Sequence, residues 1–157
     1  GGGARSPRGA EPWVEHANAD GNVRHPGDLH MDGPEVFNFS LREVPAAIAE
    51  VMALARWSEP DMDALVLHQA NRFVLSAVGR KGGFPAAKTP MDLVERFGNQ
   101  SSASIPCAVV EALGPELGRR PLRVVACGFG VGLSWGAVAL TLGPVTLVPT
   151  APLPPAP

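Results

Sequence analysis

Apolar residues between positions 37 and 55 recur with the spacing of one helical face, which predicts a long packing helix. This helix begins with Asp32 as its cap, Pro34 in the first turn and Glu35 near its positive end. Pro45 lies inside the helix and is expected to kink or split it, because proline lacks the N–H that the helix needs. The recurring apolar residues are Phe37, Leu41, Val44, Ile48, Val51 and Ala55.

Three apolar runs have the length and composition of buried strands, namely residues 64–67, 122–127 and 133–142. Glycines cluster in the link at 128–132, so the last two runs are predicted to form an antiparallel hairpin. A further short strand is predicted at 93–95.

Two more helices are predicted from their start and stop signals. One spans about 71–80 and ends at the glycine pair 82–83. The other spans about 103–113, with the serine pair 101–102 suited to cap it and the Gly-Pro pair at 114–115 ending it. The alternation of strands and helices indicates an α/β layer fold with a mixed sheet.

Glycine and proline are frequent at both ends of the 157-residue chain. Residues 1–29 are predicted to be an irregular N-terminal segment, and residues 144–157 an extended, disordered Pro-rich tail. The folded part is therefore predicted at about residues 30–143. Hydrophobic residues make up 45% of the chain, which is enough for a packed core.

Charge and cysteine content narrow the possible partners and compartments. A net charge of −2 and a pI of about 6.1 argue against a nucleic-acid partner. Cys107 and Cys127 lie in apolar runs without CxxC spacing, and there is no signal-peptide pattern, so a reducing, cytoplasmic location is expected. Residues 124–148 are uncharged and long enough to span a membrane, but their clustered glycines favour the hairpin.

Few polar residues of the chain are candidates for catalysis or ligand binding. His68 directly follows a buried strand, which is where α/β sheets place functional groups. Asn99 lies in a turn before a helix, a common position for a purely structural Asn. The irregular spacing of His16, His25 and His30 indicates a plain loop and no metal site.

Three segments resemble, in order and at similar spacing, the C-terminal motifs of the β-ketoacyl-acyl-carrier-protein synthase III family. They are LHQAN at 67–71, FGNQSSASIP at 97–106 and CGFGVGLSWG at 127–136. Residues 31–39 also look like the family's entry into its long helix, and the resemblance covers about residues 29–142. It implies the second half of a thiolase-like α/β fold, incomplete on its own, and a homodimer in full-length form.

The resemblance implies an acyltransferase with a Cys–His–Asn site, acting in fatty-acid or polyketide synthesis. A cysteine of the first half takes an acyl group from acyl-CoA, and malonyl acyl carrier protein then loses CO₂ and attacks it. His68 and Asn99 match the second-half members of this site. Acyl-CoA and malonyl carrier protein are substrates, and neither a cofactor nor a metal is implied.

The same resemblance implies a pocket and a carrier-protein surface. Phe129 is expected to wall the pocket with Gly130 and Gly132, which let a ligand approach the backbone closely. The family's carrier-binding stretch is matched loosely, because its basic residue stands one place earlier here, at Arg72. The matching residues are Gln69, Ala70, Asn71, Arg72 and Phe73.

Neither Cys107 nor Cys127 matches the family's nucleophile, which belongs upstream of the matched segments. The chain is therefore expected to be a fragment, a split subunit or a truncated product, and inactive by itself. Three alternatives stay open. They are acyl transfer to an oxygen or nitrogen acceptor, a catalytically inactive or carrier-binding partner of a complete synthase, and a hydrolase using Ser101 or Ser102 with His68 but lacking a G-x-S-x-G elbow.

Overall fold

A computed structural model describes residues 4–5, 16–17, 21, 23–24, 30–130, 132–148 and 150–151. Its first elements are four two-residue strands, β1 (Ala4–Arg5), β2 (His16–Ala17), β3 (Val23–Arg24) and β4 (His30–Met31). β1 pairs antiparallel with β4, and β2 with β3. Short pairings thus occur within the segment predicted to be irregular, while most of residues 1–29, including His25 of the predicted loop, lie outside the described residues.

The main body is a sheet covered by helices. Its elements are α1 (Gly33–Ala55), β5 (Ala64–Leu67), α2 (Arg72–Gly82), α3 (Leu93–Phe97), α4 (Ser104–Ala108), a π-helical segment (Val109–Leu113), α5 (Gly114–Leu117), β6 (Leu122–Gly130) and β7 (Ser134–Leu142). The sheet has the order β5-β6-β7, with β5 parallel to β6 and β6 antiparallel to β7. The predicted mixed α/β architecture and the β6–β7 hairpin are confirmed.

The two faces of the sheet belong to two hydrophobic cores. Successive strand residues point to opposite faces, so Leu65 and Leu67 pack with α1 and α2, while Ala64 and Val66 face the α4–α5 side. The register pairs Ala64 with Val124, which keeps both residues in the second core. Each fully buried Leu or Val contributes about 1.5–3 kcal/mol. Burial on both faces explains why all four residues of β5 are apolar.

The long helix α1 begins as predicted, because the Asp32 side chain accepts a hydrogen bond from the Glu35 N–H at 3.1 Å. Contrary to the prediction, Pro45 does not split it, and α1 runs for 23 residues. Val44 and Ile48 flank the proline and are fully buried, so packing against the sheet holds the helix across the lost hydrogen bond. Tertiary packing therefore outweighs the local proline signal.

Three local predictions in the middle of the chain are wrong. Residues 93–95 belong to the short helix α3 and form no strand. The serine pair at 101–102 makes no side-chain cap, and Ser101 has a left-handed φ of 53°. The Gly-Pro pair at 114–115 does not end the helical region, because Pro115 lies in the first turn of the new helix α5, where proline is tolerated.

The described part of the Pro-rich tail has neither helix nor strand, yet it contacts the body. The Val145 N–H donates to the Leu117 carbonyl at 3.0 Å, and Leu147 packs against the second core. These tail residues are therefore held against α5.

Within the described ranges, no helix combines the length and the apolar character needed to cross a bilayer.

Candidate active site

His68 stands one residue beyond the carboxyl end of β5, and three contacts hold it. Its backbone N–H donates to the carbonyl of Cys127 at 2.9 Å, which continues the parallel ladder past the strand. Its ring meets the Phe129 ring edge-on, with centroids 5.5 Å apart and an interplanar angle of 83°. The hydroxyl oxygen of Ser104 lies 2.7 Å from its Nδ1. The imidazole therefore has one defined place and orientation.

His68 opens onto a cavity of about 960 Å³. The cavity lies between the start of α1, the carboxyl end of the sheet and the turn before α4. It is at the upper end of the size range of small-molecule sites. The lining is mostly apolar and includes Phe37, Phe129 and Trp135, with the polar groups of His68, Asn99 and Ser104 among them. An apolar cavity with a few convergent polar groups suits an extended apolar ligand with a polar reacting end.

Asn99 reaches the same cavity from the turn between α3 and α4. Gly98 adopts a positive φ of 68° and turns the chain there. The Oδ1 atom of Asn99 accepts a hydrogen bond from the Ser101 N–H at 2.9 Å. The oxygen of Asn99 thus already accepts one hydrogen bond in this Asx turn, and its NH₂ group, which donates to none of the described residues, can donate to a ligand.

Burial sets the charge of His68. Desolvation lowers the pKa of His68 below its ordinary value of 6.5, and an interaction with the backbone of Ser101 acts in the opposite direction. The imidazole is therefore neutral at pH 7, since the net shift is downward. The cavity thus contains two neutral donors, an imidazole N–H and an amide NH₂.

The predicted pocket residues divide into two groups. Phe129 and Gly130 line the cavity, and a side chain at Gly130 would meet nothing within 4 Å, which leaves the backbone open to a ligand. Gly132 does not line it. It has a positive φ of 144°, and a Cβ there would overlap the Ser134 hydroxyl, so its role is in the link between β6 and β7.

The predicted carrier-binding stretch also divides. Gln69 is only 1% exposed, and its Nε2 donates to the carbonyls of Leu67 and Pro90. That burial leaves its side chain unavailable for direct contact with a carrier protein. Ala70 is half-buried and lines the cavity.

The rest of this stretch is on the surface. Asn71 caps α2 by accepting a hydrogen bond from the Val74 N–H at 2.8 Å. Arg72 is exposed and forms an ion pair with Glu95 at 2.6 Å. Phe73 is 66% exposed and stacks on Phe37. This surface therefore combines a cation with an exposed aromatic ring.

Ser104 is the site residue that sequence reasoning missed. It is 1% exposed, and its hydroxyl is the side-chain partner of His68, from which it is 36 residues away in the chain. Among the described residues, no hydrogen bond joins the His68 ring to the hydroxyl of Ser101 or Ser102, so the pairing proposed for a hydrolase is absent from this geometry. No local pattern distinguishes Ser104 from its serine neighbours, because its partner comes from another strand–helix unit.

Neither cysteine of the chain lines the cavity. Cys107 is 8% exposed, and Cys127 is fully buried, which raises the pKa of the Cys127 thiol to about 11. A thiol with that pKa is almost entirely protonated at pH 7, and the thiolate is the reactive form. Both cysteines therefore act as small apolar core residues.

We expect Cys107→Ser and Cys127→Ser each to retain any activity that the site supports. Iodoacetamide should modify both thiols of the native chain much more slowly than those of the denatured chain, as measured by mass spectrometry. Stoichiometric acylation of either thiol by an acyl-CoA would contradict this prediction.

The chain matches the family described as 3-oxoacyl-[acyl-carrier-protein (ACP)] synthase III C terminal over residues 52–142, which is more than half of its length. Beta-ketoacyl-[acyl-carrier-protein] synthase III of Symbiobacterium thermophilum is 43% identical over 115 residues. Those residues make up 73% of this chain and 34% of that protein. The chain thus spans about a third of the curated relatives it matches.

Solved structures agree with the sequence matches. The 3-oxoacyl-(acyl-carrier protein) synthase of Burkholderia xenovorans LB400 has a TM-score of 0.77 and 38% identity, over 80% of this chain and 36% of that one. The priming β-ketosynthase of the R1128 polyketide biosynthetic pathway has a TM-score of 0.66 and 33% identity, over 73% and 34% of the two chains. The resemblance carried by the three sequence motifs is confirmed, and so is the thiolase-like fold.

Proposed function

The chain belongs to the family of 3-oxoacyl-[acyl-carrier-protein] synthase III C-terminal domains, and from this premise we propose that it supplies the His–Asn part of a condensing site. The substrates are an acyl thioester and malonyl acyl carrier protein. The observation that carries the proposal is the convergence of His68 and Asn99 on one apolar cavity, 31 residues apart in the chain. Both residues offer hydrogen-bond donors without carrying charge.

The chemistry of decarboxylation explains why neutral donors are suitable. When the malonyl thioester loses CO₂, the electron pair of the broken bond moves into an enolate, and negative charge develops on the thioester oxygen. Donors placed at that oxygen stabilise the transition state, and removing one typically lowers the rate about 10²–10³-fold. The enolate carbon then attacks the acyl-cysteine carbonyl, a C–C bond forms, and the cysteine leaves as thiolate.

The nucleophile of the proposed reaction comes from outside this chain. Cys107 and Cys127 are both buried away from the cavity, and the Cys127 thiol is protonated. The matched relatives are about three times as long as the region they share with this chain. We therefore assign acyl-enzyme formation to an upstream half of the thiolase-like fold, and the chain alone is expected to be inactive.

The partners of the proposed enzyme follow from the same membership. The exposed Arg72 and Phe73 lie on the first turn of α2, beside the cavity residues Asn71 and Val74, and are the proposed contacts for the acidic acyl carrier protein. A homodimer of the complete protein and a cytoplasmic location complete the proposal. The priming β-ketosynthase among the similar structures makes polyketide initiation an alternative to fatty-acid synthesis.

The test is complementation. The full chain is co-expressed with the upstream part of the Symbiobacterium relative, which contains the region that this chain does not cover; we call the product the complemented enzyme. We expect it to convert acyl-CoA and malonyl acyl carrier protein into 3-oxoacyl carrier protein, detected by mass spectrometry. The matched control carries His68→Ala in this chain.

Two results would contradict the proposal. An assembled complex that acylates its upstream cysteine but never condenses would favour the inactive-partner alternative. Product formed on an added alcohol or amine, and never on malonyl carrier protein, would identify an oxygen or nitrogen acceptor.

A further inference from the structure

We infer that Ser104 is a positioning residue for His68: its hydroxyl donates a hydrogen bond to Nδ1 and thereby leaves the ring proton on Nε2. Nε2–H is then the donor that His68 presents to a ligand in the cavity. The tautomer follows from the contacts alone, whereas its importance for turnover rests on the proposed function.

The argument begins with the hydrogen-bonding capacity of the hydroxyl. A serine hydroxyl has one donor and two acceptor sites. The Gln69 N–H lies 3.3 Å from Ser104 Oγ and takes one acceptor site. His68 Nδ1 lies 2.7 Å away on the same oxygen. The bond between Oγ and Nδ1 can run in either direction, so the position of the hydroxyl proton decides the tautomer.

Burial decides the direction. Ser104 is 1% exposed, so its hydroxyl proton has little access to water. Ser104 Oγ has two hydrogen-bond partners among the described residues, His68 Nδ1 and the Gln69 N–H, and Nδ1 is the one that can accept that proton. If Nδ1 carried a proton instead, Oγ would receive two donors, and its own proton would be buried without an acceptor, which is unfavourable. The arrangement in which every donor has a partner places the ring proton on Nε2.

The position of Ser104 in the fold makes this contact rigid. Ser104 is the first residue of α4, and Ala108 of the same helix belongs to the second core together with Val66 and Val124 of the sheet. The Cδ1 atom of Ile105, the next residue, lies 3.7 Å from the position that a Cβ would take at Gly128 in β6. The same oxygen also holds the backbone of Gln69, directly after His68. One hydroxyl thus fixes both the ring and the chain at the end of β5.

The first test measures the tautomer directly. The full chain is labelled with ¹⁵N-histidine and studied by solid-state NMR, which does not require a monomer. A His68→Gln variant identifies the His68 signals by their loss. We expect the Nε2–H tautomer in the unmodified chain and in Ser104→Thr, which keeps the hydroxyl. In Ser104→Ala, we expect a shift toward Nδ1–H or a mixture.

The second test measures turnover in the complemented enzyme. Ser104→Ala should lower kcat of condensation about 10–100-fold, the range for losing a group that orients a catalytic side chain, with little change in KM. Acylation of the upstream cysteine should persist, which also reports that the variant is folded. Ser76→Ala removes another half-buried hydroxyl, one that contacts Met91 outside the cavity, and should leave kcat unchanged.

The outcomes separate this inference from the proposed function. Finding the Nδ1–H tautomer in the unmodified chain would overturn the assignment, and this result does not depend on how well a variant folds. Finding the same tautomer of His68 in the unmodified chain and in Ser104→Ala would also overturn it. If Ser104→Ala changes the tautomer of His68 but has the same kcat as Ser76→Ala, Ser104 has no positioning role in turnover. If His68→Ala condenses normally while the tautomer behaves as expected, the proposed function fails and the Ser104–His68 assignment stands.

Discussion

His68→Ala in the complemented enzyme is expected to lower the rate of malonyl decarboxylation by about 10²–10³, and Asn99→Ala by a similar factor. Each substitution removes one neutral donor from the oxygen that becomes negative when CO₂ leaves. Transfer of the acyl group from acyl-CoA to the upstream cysteine should persist in part, because that step builds no enolate. Release of ¹⁴CO₂ from labelled malonyl carrier protein and acylation of the cysteine, seen by mass spectrometry, measure the two steps separately.

The control is Asn38→Ala, which removes an exposed amide from α1 outside the cavity lining and should leave both rates unchanged. Equal and complete loss of both half-reactions in the His68 and Asn99 variants would show that these residues do not act in decarboxylation alone. It would instead indicate that they hold the site together as a whole.

The isolated chain is expected to self-associate and to show no condensing activity. Several large apolar side chains are exposed, including Phe73 at 66%, Trp135 at 48% and Val138 at 45%. Within the described residues, β7 is an edge of the sheet over its 9 residues, and open apolar edges promote pairing between copies. Light scattering coupled to size-exclusion chromatography should show oligomers, and a hydrophobic dye should bind.

A charged residue on the edge strand tests the cause. Val138→Lys should raise the concentration needed for association about tenfold, because a lysine on an edge strand opposes pairing. The control is Leu54→Lys, which also replaces an exposed apolar residue by lysine but lies on α1, away from the edge strand. Leu54 is 77% exposed, and this substitution should have a smaller effect on association. Co-expression with the upstream half should restore solubility. A monodisperse monomer that melts cooperatively and condenses its substrates would contradict the whole expectation.

Sequence by itself determined the elements whose signals are local. The strand at 64–67 was predicted at its observed bounds, because a run buried on both faces is apolar throughout. The start of α1 and the end of α2 carry their own signals, an accepting side chain at Asp32 and a left-handed Gly83. The glycine-rich link predicted the β6–β7 hairpin. His68 and Asn99 were identified by resemblance, since neither residue type is distinctive alone.

Tertiary structure decided what depends on partners distant in the chain. Pro45 lies inside an unbroken α1 because its buried neighbours in the helix, Val44 and Ile48, pack against the sheet and stabilise the helix around it. Gln69 was predicted to face a carrier protein but is buried, since two backbone carbonyls engage its amide. Above all, the contact between Ser104 and His68 exists only because α4 folds back on the end of β5. A hydrogen bond depends on distance and direction in space, and residue spacing along the chain encodes neither across 36 positions.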